Sequence, residues 1–208
     1  GSFGEIKDFT ASRIVQQAKT GEVEIIDLVV PRMDLSGGTA EQDQGAQSSP
    51  FSFSSIAVDK APKVRLLMNK VRSIDGGVNL RLLSGSGPDA STRVQADNAV
   101  FAYAEGTEGS LPEKVTLDGG VQIDGTLGNI KADSAMMFPG DKRLVLSGHV
   151  DGSTPEVERF QAEQLVYAPD GILLEGTVAV KHPQGNVHAD MARIEEGVKG
   201  EGAEAGNG

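Results

Sequence analysis

The sequence predicts an all-β, antiparallel fold built from repeated two-strand units, and three observations predict it. The stretch from Ile130 to Val150 recurs downstream as Phe160 to Val178. Each copy opens on an apolar residue, an Ala and an acid, passes a Pro/Asp/Gly turn, and continues as a strand that ends in Gly with Val two residues later. Next, Gly119, Gly148 and Gly176 recur at near-equal spacing inside a shared apolar phase. Finally, aromatic residues make up only 4% of the chain while glycine supplies 27 of 208 residues. That composition demands frequent turns and a core of Val, Leu, Ile, Ala and Met.

Around the three glycines the same-phase positions are Val115, Leu117 and Val121, then Leu144, Leu146 and Val150, then Ile172, Leu174 and Val178. All are apolar. The opposite phase carries Thr116, Asp118 and Gln122, then Val145, Ser147 and His149, then Leu173, Glu175 and Thr177. Side chains of a strand point alternately to opposite faces, so each unit offers one apolar face in the same register. Stacked units make a continuous apolar interior. The glycines share that interior phase, where they leave space or permit a bend.

Taken in order, residues 1–35 are read as N-terminal strands. Ala11 to Lys19 fits a short helix or a strand, and Glu22 to Val30 is rich in β-branched residues and reads as a strand. Pro31, which lacks an N–H, ends it or marks a sheet edge. Residues 36–60 form a Gly/Ser/Gln-rich stretch without apolar periodicity, which predicts a solvated loop.

The main β-repeats span residues 61–196. Lys63 to Met68 and Val78 to Leu82 are expected to flank a turn at Asp75, Gly76 and Gly77. Ala96-Asp97, Ala132-Asp133, Ala162-Glu163 and Ala189-Asp190 then mark four similar strand openings. Val94 and Ala96 lie in one phase but Phe101 and Tyr103 in the other, and Leu165 and Tyr167 likewise oppose Phe160 and Ala162. A bulge that swaps faces accounts for this, and so does burial on both sides. Residues 197–208 form a Gly/Glu/Ala-rich flexible tail, and the whole reads as one domain.

Composition excludes several function classes. Net charge is −11, from 30 acidic against 19 basic residues, which repels nucleic acid over long range. There are no cysteines, so disulfides, thiolate metal sites and Cys nucleophiles are all excluded. No apolar run approaches the roughly 20 residues of a membrane-spanning helix.

Catalytic constellations are equally scarce. His182 and His188 straddle a turn from Pro183 to Val187, but two histidines without a placed carboxylate make a weak metal site, and His149 stands apart. The recurring acids Asp97, Asp133, Glu163 and Asp190 suit a repeated structural slot better than paired catalysis or calcium binding. Ser84 to Gly87 lacks the long Gly/Lys/Ser pattern of a phosphate loop. The expectation is a protein without catalytic residues, metal or cofactor.

The Ala-acid openings, the Pro-Gly-Asp and Pro-Asp-Gly turns and the Leu-x-Leu-x-Gly-x-Val strands, from roughly Arg93 to Glu196, together resemble the OstA-like domain of bacterial lipopolysaccharide transport, the family that contains LptA and LptC. The resemblance implies a periplasmic antiparallel β-jellyroll that shields lipopolysaccharide acyl chains and joins neighbouring jellyrolls through its edge strands. Within the family the chain looks more like the LptC type, tethered to the inner membrane by an N-terminal helix beside an inner-membrane transporter complex, than the LptA type, a soluble bridge, because it starts at Gly1 well before the best-matching repeats. The expected lipid-facing residues are Leu117, Val121, Leu144, Leu146, Val150, Ile172, Leu174 and Val178. Alternating Leu and Val also suit an ordinary filled core, which is the reading of a structural β-repeat scaffold without lipid.

Overall fold

A computed structural model describes residues 2–3, 6–34, 55–68, 70–83, 91–104, 112–125, 128–155, 157–168, 171–183 and 185–194. All of its regular elements are strands. Two short ones, β1 (Ser2–Phe3) and β2 (Ile6–Lys7), pair with each other. The others are β3 (Arg13–Gln16), β4 (Val23–Asp34), β5 (Ser55–Leu67), β6 (Lys70–Leu83), β7 (Ser91–Ala102), β8 (Lys114–Gly125), β9 (Gly128–Phe138), β10 (Arg143–Ser153), β11 (Arg159–Ala168), β12 (Gly171–His182) and β13 (Gly185–Ile194).

Strands β3 to β13 form one 11-stranded sheet in which each strand pairs antiparallel with the next in sequence. The sheet is open, with β3 and β13 at its edges. This is the all-β class that the repeats predict, and it is consistent with the β-jellyroll that the resemblance implies. The turns close as their chemistry requires: between β9 and β10 the Asp141 N–H donates to the Phe138 carbonyl at 3.1 Å, with Pro139 between them.

The repeats are built around an aligned series of bulges. Gly76-Gly77 in β6 stands opposite Asp97, Gly119-Gly120 in β8 opposite Asp133, Gly148-His149 in β10 opposite Glu163, and Gly176-Thr177 in β12 opposite Asp190. In each case two residues face one across the ladder, which bends the strand. Positive φ makes this possible: Gly76, Gly77, Gly119, Gly120, Gly148 and Gly176 all adopt it, and His149 joins them at 45°. The same level continues into β4, where Asp27 has φ 53° and lies opposite Pro62.

The sheet is therefore creased along a line that crosses its strands. Just past each bulge a Val pairs with the Ala of an opening motif: Val78 with Ala96, Val121 with Ala132, Val150 with Ala162, Val178 with Ala189. Ala96, Ala132 and Ala162 are buried in the core and Ala189 is half-buried, while the acid that follows each is exposed. A bend crowds its concave side, so Ala fits inside and the longer carboxylate outside. The repeated Ala-acid pair is thus the signature of the crease.

Several expectations change here. The glycines do not face the interior. A Cβ at Gly119, Gly148 or Gly176 would collide with the side chain of Asp97, Asp133 or Glu163 respectively, all exposed on the outer side. Positive φ at the bulge turns the side-chain direction outward, which a simple period-two count misses. Asp75 to Gly77 is likewise no turn. It lies inside β6, and the β5–β6 connection falls at Met68. A Gly-Gly pair satisfies a turn and a bulge equally well, because both need positive φ.

The crossed phases of the opening strands also have their answer. Val94, Ala96 and Ala99 are all buried, as are Phe160, Ala162, Leu165 and Tyr167, so the inward phase slips at the crease. Pro31 does not end β4, which continues to Asp34. The β4–β5 register shifts between Val30 and Met33 around it, and β3 does not extend far enough to need its missing N–H. Ala11 to Lys19 resolves into the short strand β3. Residues 55–60 of the expected loop belong to β5, and Ser55 is fully buried. Residues 36–54, Ser84 to Gly87 and the expected tail at 197–208 lie outside the described residues.

One apolar row runs the whole width of the sheet: Ile14, Ile25, Val64, Ile74, Ala99, Leu117, Ala135, Leu146, Leu165, Leu174 and Ala192 are successive cross-strand partners. A second row beyond the crease joins Val30, Val58, Leu80, Val94, Ile123 and Ile130. Apart from the exposed end residue Ile14, both rows belong to one contiguous core, with Ala192 half-buried against it. A flat single sheet leaves its faces wet, so burial this deep follows from the creased sheet folding its inner face onto itself. Gly152 lets β9 approach closely: a Cβ there would lie 2.6 Å from the Asn129 carbonyl oxygen and 3.1 Å from the ring of Phe160, which has no exposure.

Candidate functional site

All of the expected lipid-facing residues lie on the inner face. Their exposure runs from 0% at Leu174 to 9% at Ile172, with Leu117, Val121, Leu144, Leu146, Val150 and Val178 at 1%. The crease divides them. Leu117, Leu144, Leu146, Ile172 and Leu174 line one arm of the bent sheet, while Val121, Val150 and Val178 start the other. Burying each Leu removes it from water at a gain of roughly 1.5–3 kcal/mol, so this face holds the fold together whatever else it contacts.

Sequence reasoning missed the other half of the lining. Ala135 and Leu165 stand between Leu117, Leu146 and Leu174 in the first row, and Tyr167 stands between Leu144 and Ile172. Ile123, Ile130 and Phe160 complete the second arm. These residues sit on the far side of the phase slip from the openings or on strands aligned by a different landmark. The available signal was the Ala-acid motif, because the inward phase resumes on the second residue after each acid: Ala99, Ala135 and Leu165.

The apolar interior reaches both edges of the sheet. Ile14 on β3 is 50% exposed and Val187 on β13 is 49% exposed, although their partners Ile25 and Val180 are buried. Among the described residues no strand pairs with the outer side of β3 or β13. The inner face thus ends in apolar steps rather than polar caps.

The outer side of the crease is polar. A shallow hollow of about 770 Å³ is lined there by Gly148, His149, Asp151, Gln161, Glu163 and Thr177, among others. His149 Nδ1 lies 2.8 Å from Asp133 Oδ2, and this hydrogen bond together with the carboxylate charge holds the imidazole pKa above its ordinary value. Thr177 donates to Glu163 at 3.3 Å. Asp151 accepts from Arg159 at 2.7 Å and Gln161 at 2.9 Å, and the Arg159 bond leads in holding its carboxyl below the usual range.

The four recurring acids occupy equivalent structural slots across the crease. His182 and His188 do not meet: His182 pairs with Gly185 and His188 with Ala179 in the ladder. Among the described residues no group of three or more His, Asp or Glu is placed to hold a metal ion. Lys131 lies near one end of β9, whereas Arg143 sits beyond the other with its guanidinium 4.4 Å from the Phe138 ring, so these bases do not gather into one anion site.

The class these features define is an antiparallel, open-sheet β protein with a continuous apolar inner face and two free edges. No family model, curated protein or solved structure matches the chain.

Proposed function

We propose that this protein is a periplasmic component of lipopolysaccharide transport of the OstA-like, LptC-like kind. In this reading its creased sheet shields the acyl chains of lipopolysaccharide or a related glycolipid. The observation that carries the reading is the apolar row from Ile14 to Ala192, which crosses the whole sheet and meets solvent at its edge strands. An interior of this kind takes up hydrocarbon along its length, at roughly 0.8 kcal/mol for each methylene removed from water. The sugars and phosphates stay outside an acidic protein that holds them weakly.

The edge strands β3 and β13, beyond which no further strand pairs among the described residues, accept strands of neighbouring jellyrolls by main-chain pairing. The chain serves as one span of an inner-to-outer membrane bridge beside an inner-membrane transporter complex, held near that membrane by an N-terminal helix. Its work is passive, with no covalent step, and nucleic acid is no partner.

A second reading is a structural β-repeat scaffold without lipid, which the near-complete burial of Leu117, Leu146 and Leu174 favours. Leu146→Asp and Ser147→Asp, tested separately for capture of a photo-crosslinkable lipopolysaccharide, separate the two. The transport reading expects loss of capture in Leu146→Asp and retention in Ser147→Asp, with folding checked by circular dichroism. Two folded variants that both capture like the parent protein overturn the groove.

A further inference from the structure

We infer that the crease is a working hinge, about which the two arms of the sheet rotate apart to admit hydrocarbon; this rests on the lipid-shielding reading above. The alignment of the bulges is what makes a hinge possible. From Asp27 and Pro62 through Gly76, Asp97, Gly119, Asp133, Gly148 and Glu163 to Gly176 and Asp190, every strand from β4 to β13 meets the line at the same level. Hydrogen bonds of an antiparallel sheet run perpendicular to its strands and hence along this line. Rotation about the line leaves those ladders intact, and the aligned bulges make it the level at which the strands already bend.

The residues on the line suit rotation. Glycine on β6, β8, β10 and β12 accepts a wide range of φ and ψ, so each of those strands absorbs the angle change at one or two positions. On the concave side Ala96, Ala132, Ala162 and Ala189 are too short to wedge the arms at a fixed angle. Among the described residues the convex side carries exposed ties: Ser12 to Asp27 at 2.8 Å, the Gly76 N–H to Asn98 at 3.4 Å, His149 to Asp133 at 2.8 Å and Thr177 to Glu163 at 3.3 Å. Exposed ties of this kind restrain weakly.

The mechanism also answers a problem the closed geometry poses. The lining residues are 0–9% exposed, so hydrocarbon reaches them only if the arms separate. Opening at the crease parts Leu117, Leu146 and Leu174 from the arm of Ile123, Ile130 and Phe160 without unpairing a strand.

The absence of cysteine from the chain allows a direct test with paired spin labels. One pair, Glu113→Cys just before β8 with Asp124→Cys near its end, brackets the crease; the control pair, Asp124→Cys with Lys181→Cys, lies within one arm. Electron–electron distance measurements on the lipid-free protein are expected to give a distribution at least about twice as wide for the crease pair as for the control, as hinge motion requires. Added lipid A in mixed micelles is expected to lengthen the crease distance toward the about 37 Å of a straight strand, against micelles lacking it. Equal widths in the lipid-free protein overturn the hinge whatever lipid A does. An unchanged crease distance with lipid A retained on gel filtration also overturns the hinge but leaves the lipid-shielding reading standing. A wide crease distribution with no lipid A retained supports the hinge and counts against that reading.

Discussion

The crease is built in two chemistries, and their comparison shows what the fold demands. From β6 to β12 each bulge uses glycine at positive φ, faced from β7 onward by an Ala-acid pair. In the N-terminal part β4 reaches the same level with Asp27 at φ 53°, opposite Pro62 and tied to Ser12 at 2.8 Å. Glycine meets the backbone requirement without a side chain. Aspartate, which tolerates the left-handed region better than most residues, meets it with a hydrogen bond that recovers part of the cost. The shared requirement is a backbone turned outward at one level of the sheet, not a particular residue.

The comparison breaks most visibly where glycine also makes room. Gly148→Val places a branched side chain at φ 77° against the Asp133 carboxylate, and a loss of about 4 kcal/mol is expected in urea unfolding, at the high end for single substitutions. Gly120→Ala separates the two causes. Nothing lies within 4 Å of its Cβ, so only the backbone penalty of about 1–2 kcal/mol is expected. If both variants lose the same stability, packing over the glycine is irrelevant.

Next in size, Leu146→Ala on the inner face is expected to cost about 3 kcal/mol, because the neighbouring strands cannot collapse into the void. Its outer-phase neighbour Ser147, half-buried beside Gln164, should change by less than about 0.5 kcal/mol as Ser147→Ala. Smaller still, Asp27→Gly should stay within about 0.5 kcal/mol of the parent, as relieved strain offsets the lost Ser12 bond. Asp27→Val should cost about 1–2 kcal/mol for the same φ. A large loss in Asp27→Gly would mean that the hydrogen bond, rather than the backbone shape, makes the N-terminal crease.

The smallest effect is pH-dependent. Asp133 holds the His149 pKa above its unfolded value, so any stability from this exposed pair is fully present below that unfolded value and fades as pH rises through the folded one. In a proton NMR titration His149 should have its midpoint above 6.5, and Asp133→Asn should bring it down toward that value. An unchanged midpoint in Asp133→Asn would remove the pair from the account.

Sequence periodicity was most legible where the strands obey it. Val115, Leu117 and Val121 and their counterparts point inward as alternation predicts, since the step across each bulge of β8, β10 and β12 is an even four residues, as from Leu117 to Val121. The facing strands lose one position and slip, so Ala96 and Ala99, or Ala162 and Leu165, point the same way despite odd spacing. Alternation alone does not tell that slip from two-sided burial. The direction of the glycines was illegible for a related reason: positive φ reverses the face a position serves. The edges were not read from the repeats either, although every strand pairs with the next in sequence and the first and last strands of the sheet become its edges.

The claim on which the account depends is that the inner face receives hydrocarbon. Photo-crosslinking addresses it most directly, with a benzophenone side chain in place of inward Leu165 or outward Gln164, and lipopolysaccharide as the target. The account predicts an adduct from position 165 and none above background from position 164. Equal labelling at both positions, or none at 165 in a folded protein, would contradict it.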